Sequence, residues 1–307
     1  MKVASSVLDV IGSTPMVRLN RITTDLNREV LVKMEYLNPS GSLKDRIALY
    51  MVDAAERSGK LTKGSVIVEA TTGNTGIAFA MVAAVKGYKM IVVMPEGMSE
   101  ERKKTIRAYG ANLVFTPGSE SDVDLCLKKV DELRKTIPNV WVPGQFTNVD
   151  NIRAHEETTA REILDQTEGK LEALVVGVGT GGTLTGVARV LKMKAPSVKV
   201  VAVEPAECPI LSGGKKGGHR IEGIGDGFIP EILDLNLVDD VICVSDGEAI
   251  EMSKRLAREE GIFVGISSGA NVKAALEVAR SLPERSRVVT FVPDNGLRYL
   301  STDLCMN

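Results

Sequence analysis

The sequence predicts an α/β protein of two three-layer units with mostly parallel sheets, and three observations carry that prediction. Short runs rich in Val and Ile recur along the 307 residues and are apolar on both faces, as strands covered on both sides must be. Longer amphipathic stretches separate them, the alternation of a parallel sheet with its crossover helices. Two loops, one rich in Pro, Gly and Asn and one rich in Gly, interrupt the alternation, which points to two domains with a ligand cleft between them.

In chain order the strands are 29–34 (EVLVKM), 65–70 (SVIVEA), 89–94 (KMIVVM), 112–115 (NLVF), 173–178 (ALVVGV), 199–204 (KVVAVE), 240–244 (DVICV) and 287–292 (RVVTFV). They are short and β-branched, which suits a buried pleated surface better than a helix. Helical patterns occupy 44–58, 74–87, 99–109, 121–136, 150–166, 181–194, 246–260 and 268–281. The segment PNVWVPGQFTNVDN (138–151) reads as the crossover between the sheets. The stretch 207–230 reads as a long glycine-rich loop, and loops of that length inside a domain are usually functional.

Bulk properties exclude several classes. The formal net charge is −2, with Lys and Arg spread along the chain, so neither nucleic acid nor a membrane surface is an expected partner. No apolar run reaches the roughly 18–20 residues that cross a bilayer, and the N-terminal stretch carries Asp9 where a signal peptide would be apolar. Cys126, Cys208, Cys243 and Cys305 are scattered without a C-x-x-C pair, which predicts a cytoplasmic protein with neither disulfides nor a metal site. Of the two histidines, His155 lies in the polar stretch NIRAHEETTAREIL and is expected at the surface, while His219 follows a Gly-rich loop.

Three segments carry chemistry. In ALVVGVGTGGTLTGVARVLK (173–192) a strand runs through Gly179, Thr180, Gly181, Gly182 and Thr183 into a helix. Unpaired N–H groups and the helix dipole make such a start a phosphate cradle. The same segment fits G-x-G-x-x-G, and Glu204 ends the next strand where a ribose-binding acid would stand. An NAD-dependent oxidoreductase is therefore the rival from another class. In EATTGNTGIAFAMVAAVKG (69–87), Thr71, Thr72, Asn74 and Thr75 offer more polar groups than one helix cap needs. They suit a carboxylate, held by neutral donors rather than by an arginine. In NPSGSLKDRIALYMVDAAERSG (38–59), Lys44 begins a helix, a poor place for a structural cation. Desolvation and the helix field there would lower its pKa toward the neutral amine that a Schiff base requires.

Together with MPEGMSEERKKTIRAYGA, EGIGDGFIP, GISSGAN and RYLST, these segments resemble the cysteine synthase (O-acetylserine sulfhydrylase) family of fold-type II pyridoxal 5'-phosphate (PLP) enzymes. The resemblance runs from 11–19 to 298–304 and implies the tryptophan synthase β-like fold. It implies a smaller mobile domain at 39–148 and a larger one from 1–38 plus 149–307. Lys44 would be the Schiff-base lysine and proton shuttle, Asn74 the partner of the cofactor's 3′-oxygen, and Ser267 the group facing its ring nitrogen. Gly179, Thr180, Gly181, Gly182 and Thr183 would cup the phosphate. Thr71, Thr72, Gly73, Thr75 and Gln145 would bind the substrate carboxylate, with Gly223 and Ile224 bordering the amino-acid pocket.

The implied reaction forms L-cysteine from O-acetyl-L-serine and sulfide through an aminoacrylate, in a homodimer that could dock a serine acetyltransferase. Departures bear on the donor. Thr72 stands where the family usually has Ser, Ala70 where it often has Pro, and 118–127 is acidic, which disfavours O-phosphoserine. A short cystathionine β-synthase and an O-phosphoserine sulfhydrylase remain alternatives on the same core, and a catalytically silent relative is a third class.

Overall fold

The computed structural model describes residues 3–305. Its regular elements are β1 (Met16–Arg18), β2 (Glu29–Lys33), α1 (Lys44–Arg57), β3 (Val66–Ala70), α2 (Asn74–Lys86), β4 (Lys89–Pro95), α3 (Glu100–Ala108), β5 (Asn112–Thr116), α4 (Val123–Thr136), β6 (Val140–Trp141), α5 (Val149–Ala154), α6 (Ala160–Thr167), β7 (Ala173–Gly177), α7 (Gly182–Lys194), β8 (Lys199–Pro205), β9 (Asp240–Val244), α8 (Asp246–Glu260), α9 (Ile266–Ser281) and β10 (Arg287–Phe291).

Two sheets form, as the sequence predicts. One has six strands in the order β1-β2-β10-β7-β8-β9, parallel except for β1, and the other has four parallel strands in the order β5-β4-β3-β6. Side chains alternate across each strand, so each sheet feeds two cores. In the larger sheet Ala173, Val175, Val201, Val203 and Val288 pack on the α8–α9 side, while Leu174, Val176, Val200, Ala202 and Val289 pack with α6 and α7. In the smaller sheet Ile67, Val92 and Met94 join α1 and α2, while Val68, Ala70 and Val93 join α4 through Cys126 and Val130. Burial on both faces is why these strands read as unbroken apolar runs.

Strand order positions the site. From β7 the chain steps outward to β8 and β9, whereas β10 lies on the other side of β7. From β3 it steps to β4 and β5, whereas β6 lies on the other side of β3. Each sheet thus has a switch point where the connections diverge, and ligand crevices form beyond the carboxyl ends of such strands.

Four expectations need correction. The short edge strands β1 and β6 were not predicted, and β6 lies within the segment read as a crossover. The helix expected over 150–166 is three pieces, because His155–Thr159 forms a π turn between α5 and α6. That turn moves His155 from the expected surface position to 1% exposure. Helix α9 starts at Ile266, two residues before the predicted 268, which brings Ser267 into its first turn.

Candidate active site

Both switch points open on one cavity, lined by residues that follow β3 in the smaller sheet and β7 in the larger. Four helices start there. Lys44 opens α1, Asn74 opens α2, Thr183 is the second residue of α7, and Ser267 is the second residue of α9. None of these four starts is capped by the side chain of its own N-cap residue. The positive ends of four helix dipoles are thus gathered at one cavity, which suits anions.

The turn after β7 is shaped by its protein neighbours. Gly181 has φ +81°, a conformation that favours glycine. A Cβ at Gly179 would sit 2.6 Å from the Gly223 carbonyl oxygen, and one at Gly182 would sit 2.0 Å from Asn151 Oδ1. Asn151 Nδ2 donates to the Gln145 carbonyl at 2.8 Å and to Thr180 Oγ1 at 3.1 Å. Gly179, Thr180, Gly181 and Thr183 line the cavity, whereas Gly182 is occupied against Asn151. Beneath them, His155 bonds Thr159 through Nδ1 at 2.9 Å and Thr183 through Nε2 at 3.1 Å. Burial, then the Arg46 and Lys44 charges, hold its pKa well below the ordinary value, so the imidazole is neutral.

The turn after β3 faces it. Thr72 donates its hydroxyl to Glu120 Oε1 at 2.9 Å, and Thr75 donates to Gln145 Oε1 at 2.6 Å. Thr71 Oγ1 accepts from Gly73 N at 2.9 Å, which leaves its own hydroxyl proton free to donate. Gln145 Nε2 is fixed by the Ala70 carbonyl at 2.8 Å. Glu69 holds the same segment by accepting from Gly144 N at 2.8 Å, and burial pushes its carboxyl up to about 8. Thr71, Thr72, Thr75 and Gln145 line the cavity, as do Gly223 and Ile224. Gly73 does not, because at φ +147° it lies under Arg102, whose Cδ a Cβ there would meet at 2.1 Å.

Arg102 stands against this loop. It lines the cavity, stacks 4.5 Å from the Tyr299 ring centroid, pairs with Glu222 and lies 3.5 Å from Asp294 Oδ2. Lys44 is half-buried and lines the same cavity. The start of its helix is pinned by Leu43 N donating to the Pro293 carbonyl at 2.9 Å, just beyond β10. Burial lowers the Lys44 pKa, against the opposing pull of Asp226, Asp294 and Glu120. The shift is in the direction a Schiff-base lysine needs, and its largest cause is desolvation rather than the helix field.

The sequence profile described as pyridoxal-phosphate dependent enzyme matches residues 7–294. The chain belongs to the pyridoxal-phosphate dependent enzymes. It is 50% identical over 304 residues to the cysteine synthase of Staphylococcus aureus, covering 99% of this chain and 97% of that protein. Among solved structures, a hydrogen sulfide-producing enzyme from Fusobacterium nucleatum shares 45% identity with a TM-score of 0.94, covering 97% of this chain and all of that one. An O-acetylserine dependent cystathionine β-synthase from Helicobacter pylori shares 40% identity with a TM-score of 0.95 and full coverage of both chains. The expected PLP dependence and cysteine synthase assignment are met.

The cavity fits PLP. The positive end of α7, which Gly181 cannot cap with a side chain, suits a phosphate, and Lys44 offers an amine to an aldehyde. Between them Asn74 is held by its Nδ2 to Asp294 at 2.7 Å and by Arg298 on its Oδ1. Ser267 is buried on the cavity wall. A Cβ at Gly223 would lie 3.9 Å from both Asn74 Nδ2 and Ser267 Oγ, so this glycine keeps the space beside them clear.

Other residues fall elsewhere. Glu204, the acid of the NAD reading, accepts from Leu211 N at 2.7 Å and Ser212 N at 2.9 Å, and so closes a loop outside the cavity. His219 is buried against the Gly225 carbonyl at 2.8 Å and lies outside the cavity lining. Sequence reasoning missed Arg102, Asp226 and Asp294 as site residues. Glu120 lies in the acidic 118–127 stretch, and Arg102 and Asp226 each lie inside a family motif without any local feature that marks them.

Proposed function

We propose that this chain makes L-cysteine by exchanging the acetoxy group of O-acetyl-L-serine for sulfide, with Lys44 at the centre of the chemistry. The observation that carries this reading is a single cavity holding a neutral-leaning amine and two opposed anion cradles. Bound there, PLP supplies an electron sink for negative charge at the amino acid's α-carbon. Lys44 provides the amine for the cofactor's aldehyde carbon and, once released, takes and returns the α-proton. Gly179, Thr180, Gly181 and Thr183 hold the phosphate, with Gly182 packed on Asn151 behind them, Asn74 holds the 3′-oxygen, and Ser267 faces the ring nitrogen.

Thr71, Thr72, Thr75 and Gln145 orient the substrate carboxylate, and Gly73 shapes their turn by donating its N–H to Thr71. Thr71 has the uncommitted hydroxyl proton, so it is the side-chain donor to that group. Gly223 and Ile224 border the amino-acid side. We further propose that 39–148 closes as the smaller domain on 1–38 plus 149–307, and that the enzyme is a cytoplasmic homodimer able to dock a serine acetyltransferase.

The test is product analysis by mass spectrometry. Purified holoenzyme is mixed with O-acetylserine, O-phosphoserine or serine, each with sulfide and, separately, with homocysteine. Cysteine from O-acetylserine and sulfide supports the reading. Cystathionine as the sole product overturns it in favour of a short cystathionine β-synthase.

A further inference from the structure

The cavity carries a buried acid that neither cofactor nor carboxylate binding uses. Asp226 is 7% exposed and lines the same cavity as Lys44. Its carboxyl is engaged by its own backbone N–H and by no side-chain donor among the described residues. Behind it stands Glu120, 2% exposed. Glu120 Oε1 accepts from Thr72 Oγ1 at 2.9 Å and from Gly223 N at 2.7 Å, while its Oε2 is buried without a partner. The groups facing this pair are Lys44 on Asp226, with Arg102 and His219 on Glu120. Burial is the largest influence on each acid, and the Glu120 charge adds to it at Asp226. Glu120 is thereby raised above the ordinary carboxylate range, and Asp226 is pushed up to about 8.

Acetate leaves carbon as a stable anion and needs no acid. Hydroxide does not, so breaking a Cβ–OH bond requires a proton delivered to the oxygen. We propose that Asp226 is the proton donor to the group leaving the β-carbon. The cavity then takes an amino acid with an unactivated β-hydroxyl, serine, as well as the ester. The inference rests on the β-replacement reading above. In the step, Lys44 takes the α-proton and that electron pair forms the Cα–Cβ double bond. The Cβ–O bond breaks onto oxygen, and the Asp226 proton converts the leaving group to water. Hydrogen sulfide then adds at Cβ, its S–H proton returns to the Asp226 carboxylate, and Lys44 restores the α-proton. The balance is serine plus hydrogen sulfide to cysteine plus water. Glu120 is a positioning residue whose charge keeps the proton on Asp226.

The experiment compares serine and O-acetylserine, each with sulfide, in wild type, Asp226→Asn and Glu120→Gln holoenzymes. In Asp226→Asn, kcat/KM for serine is expected to fall by about 10²-fold or more, and that for O-acetylserine by less than about tenfold. In Glu120→Gln, the alkaline limb of the serine pH profile is expected to move to lower pH, because Asp226 then loses its proton more easily. Infrared difference spectra of the apo chain at neutral pH supply a readout without catalysis: a protonated-carboxyl band is expected to vanish in Asp226→Asn. Equal losses for both donors, an unmoved alkaline limb or an unchanged infrared band each overturn the proposal. A wild type that uses O-acetylserine but not serine overturns it while leaving the proposed function intact. A wild type that uses neither overturns both.

Discussion

His155 Nε2 stands 3.1 Å from the Thr183 hydroxyl, so an imidazole inside a π turn braces the helix start assigned to the cofactor phosphate. Its Nδ1 is engaged by Thr159 at 2.9 Å, which fixes the ring from the other side. The ring is buried and neutral, and its work is to hold a loop.

Replacing it tests both statements. His155→Asn is expected to lower apo-chain stability by about 1–3 kcal/mol near pH 7.5. The folded-state pKa of His155 lies below its unfolded value, so its stabilisation is present above about pH 6.5 and lost as pH falls through that window. The gap between wild type and variant in urea unfolding should therefore narrow at lower pH, by up to about 1.4 kcal/mol per pH unit. A gap independent of pH would show that His155 titrates freely in the folded chain.

Gly182→Ala separates packing from ligand approach. The added methyl would meet Asn151 Oδ1 at 2.0 Å, and Asn151 in turn bonds Gln145 and Thr180. Overpacking of this kind costs about 1–3 kcal/mol, and the loss should appear in the apo chain before any PLP is added. If only PLP affinity changes, the glycine is there for the cofactor alone.

Glu204→Ala addresses the dinucleotide reading. The carboxylate serves the Leu211 and Ser212 N–H groups and the Ser212 hydroxyl, so its removal should cost about 1–3 kcal/mol of stability. PLP stoichiometry should stay at that of the wild type, and NADH should bind neither protein by fluorescence titration. NADH binding that disappears with Glu204 would restore the oxidoreductase reading.

The chain announces its sheets because β3, β4, β7, β8 and β10 are covered on both faces, so apolar residues dominate both sides of each strand. It hides β1 and β6 because three and two residues are too few to show a period. The phosphate loop is legible from its glycines, yet two of them answer to Gly223 and Asn151, which no local pattern reveals. Lys44 stands out because a cation at a helix start opposes the dipole. Arg102 does not, since a basic residue in an exposed-looking helix is unremarkable until Gly73, Tyr299 and Asp294 are seen around it. His155 was misread because helical periodicity assumes 3.6 residues per turn, and a π turn breaks that phase.

The most direct test of the central claim is peptide mapping of the PLP-loaded enzyme after borohydride reduction. The account predicts one pyridoxyl label, on the peptide containing Lys44, and a Lys44→Ala protein that carries no label at that site. A label on a different lysine, or a wild type that takes up no PLP, would contradict it.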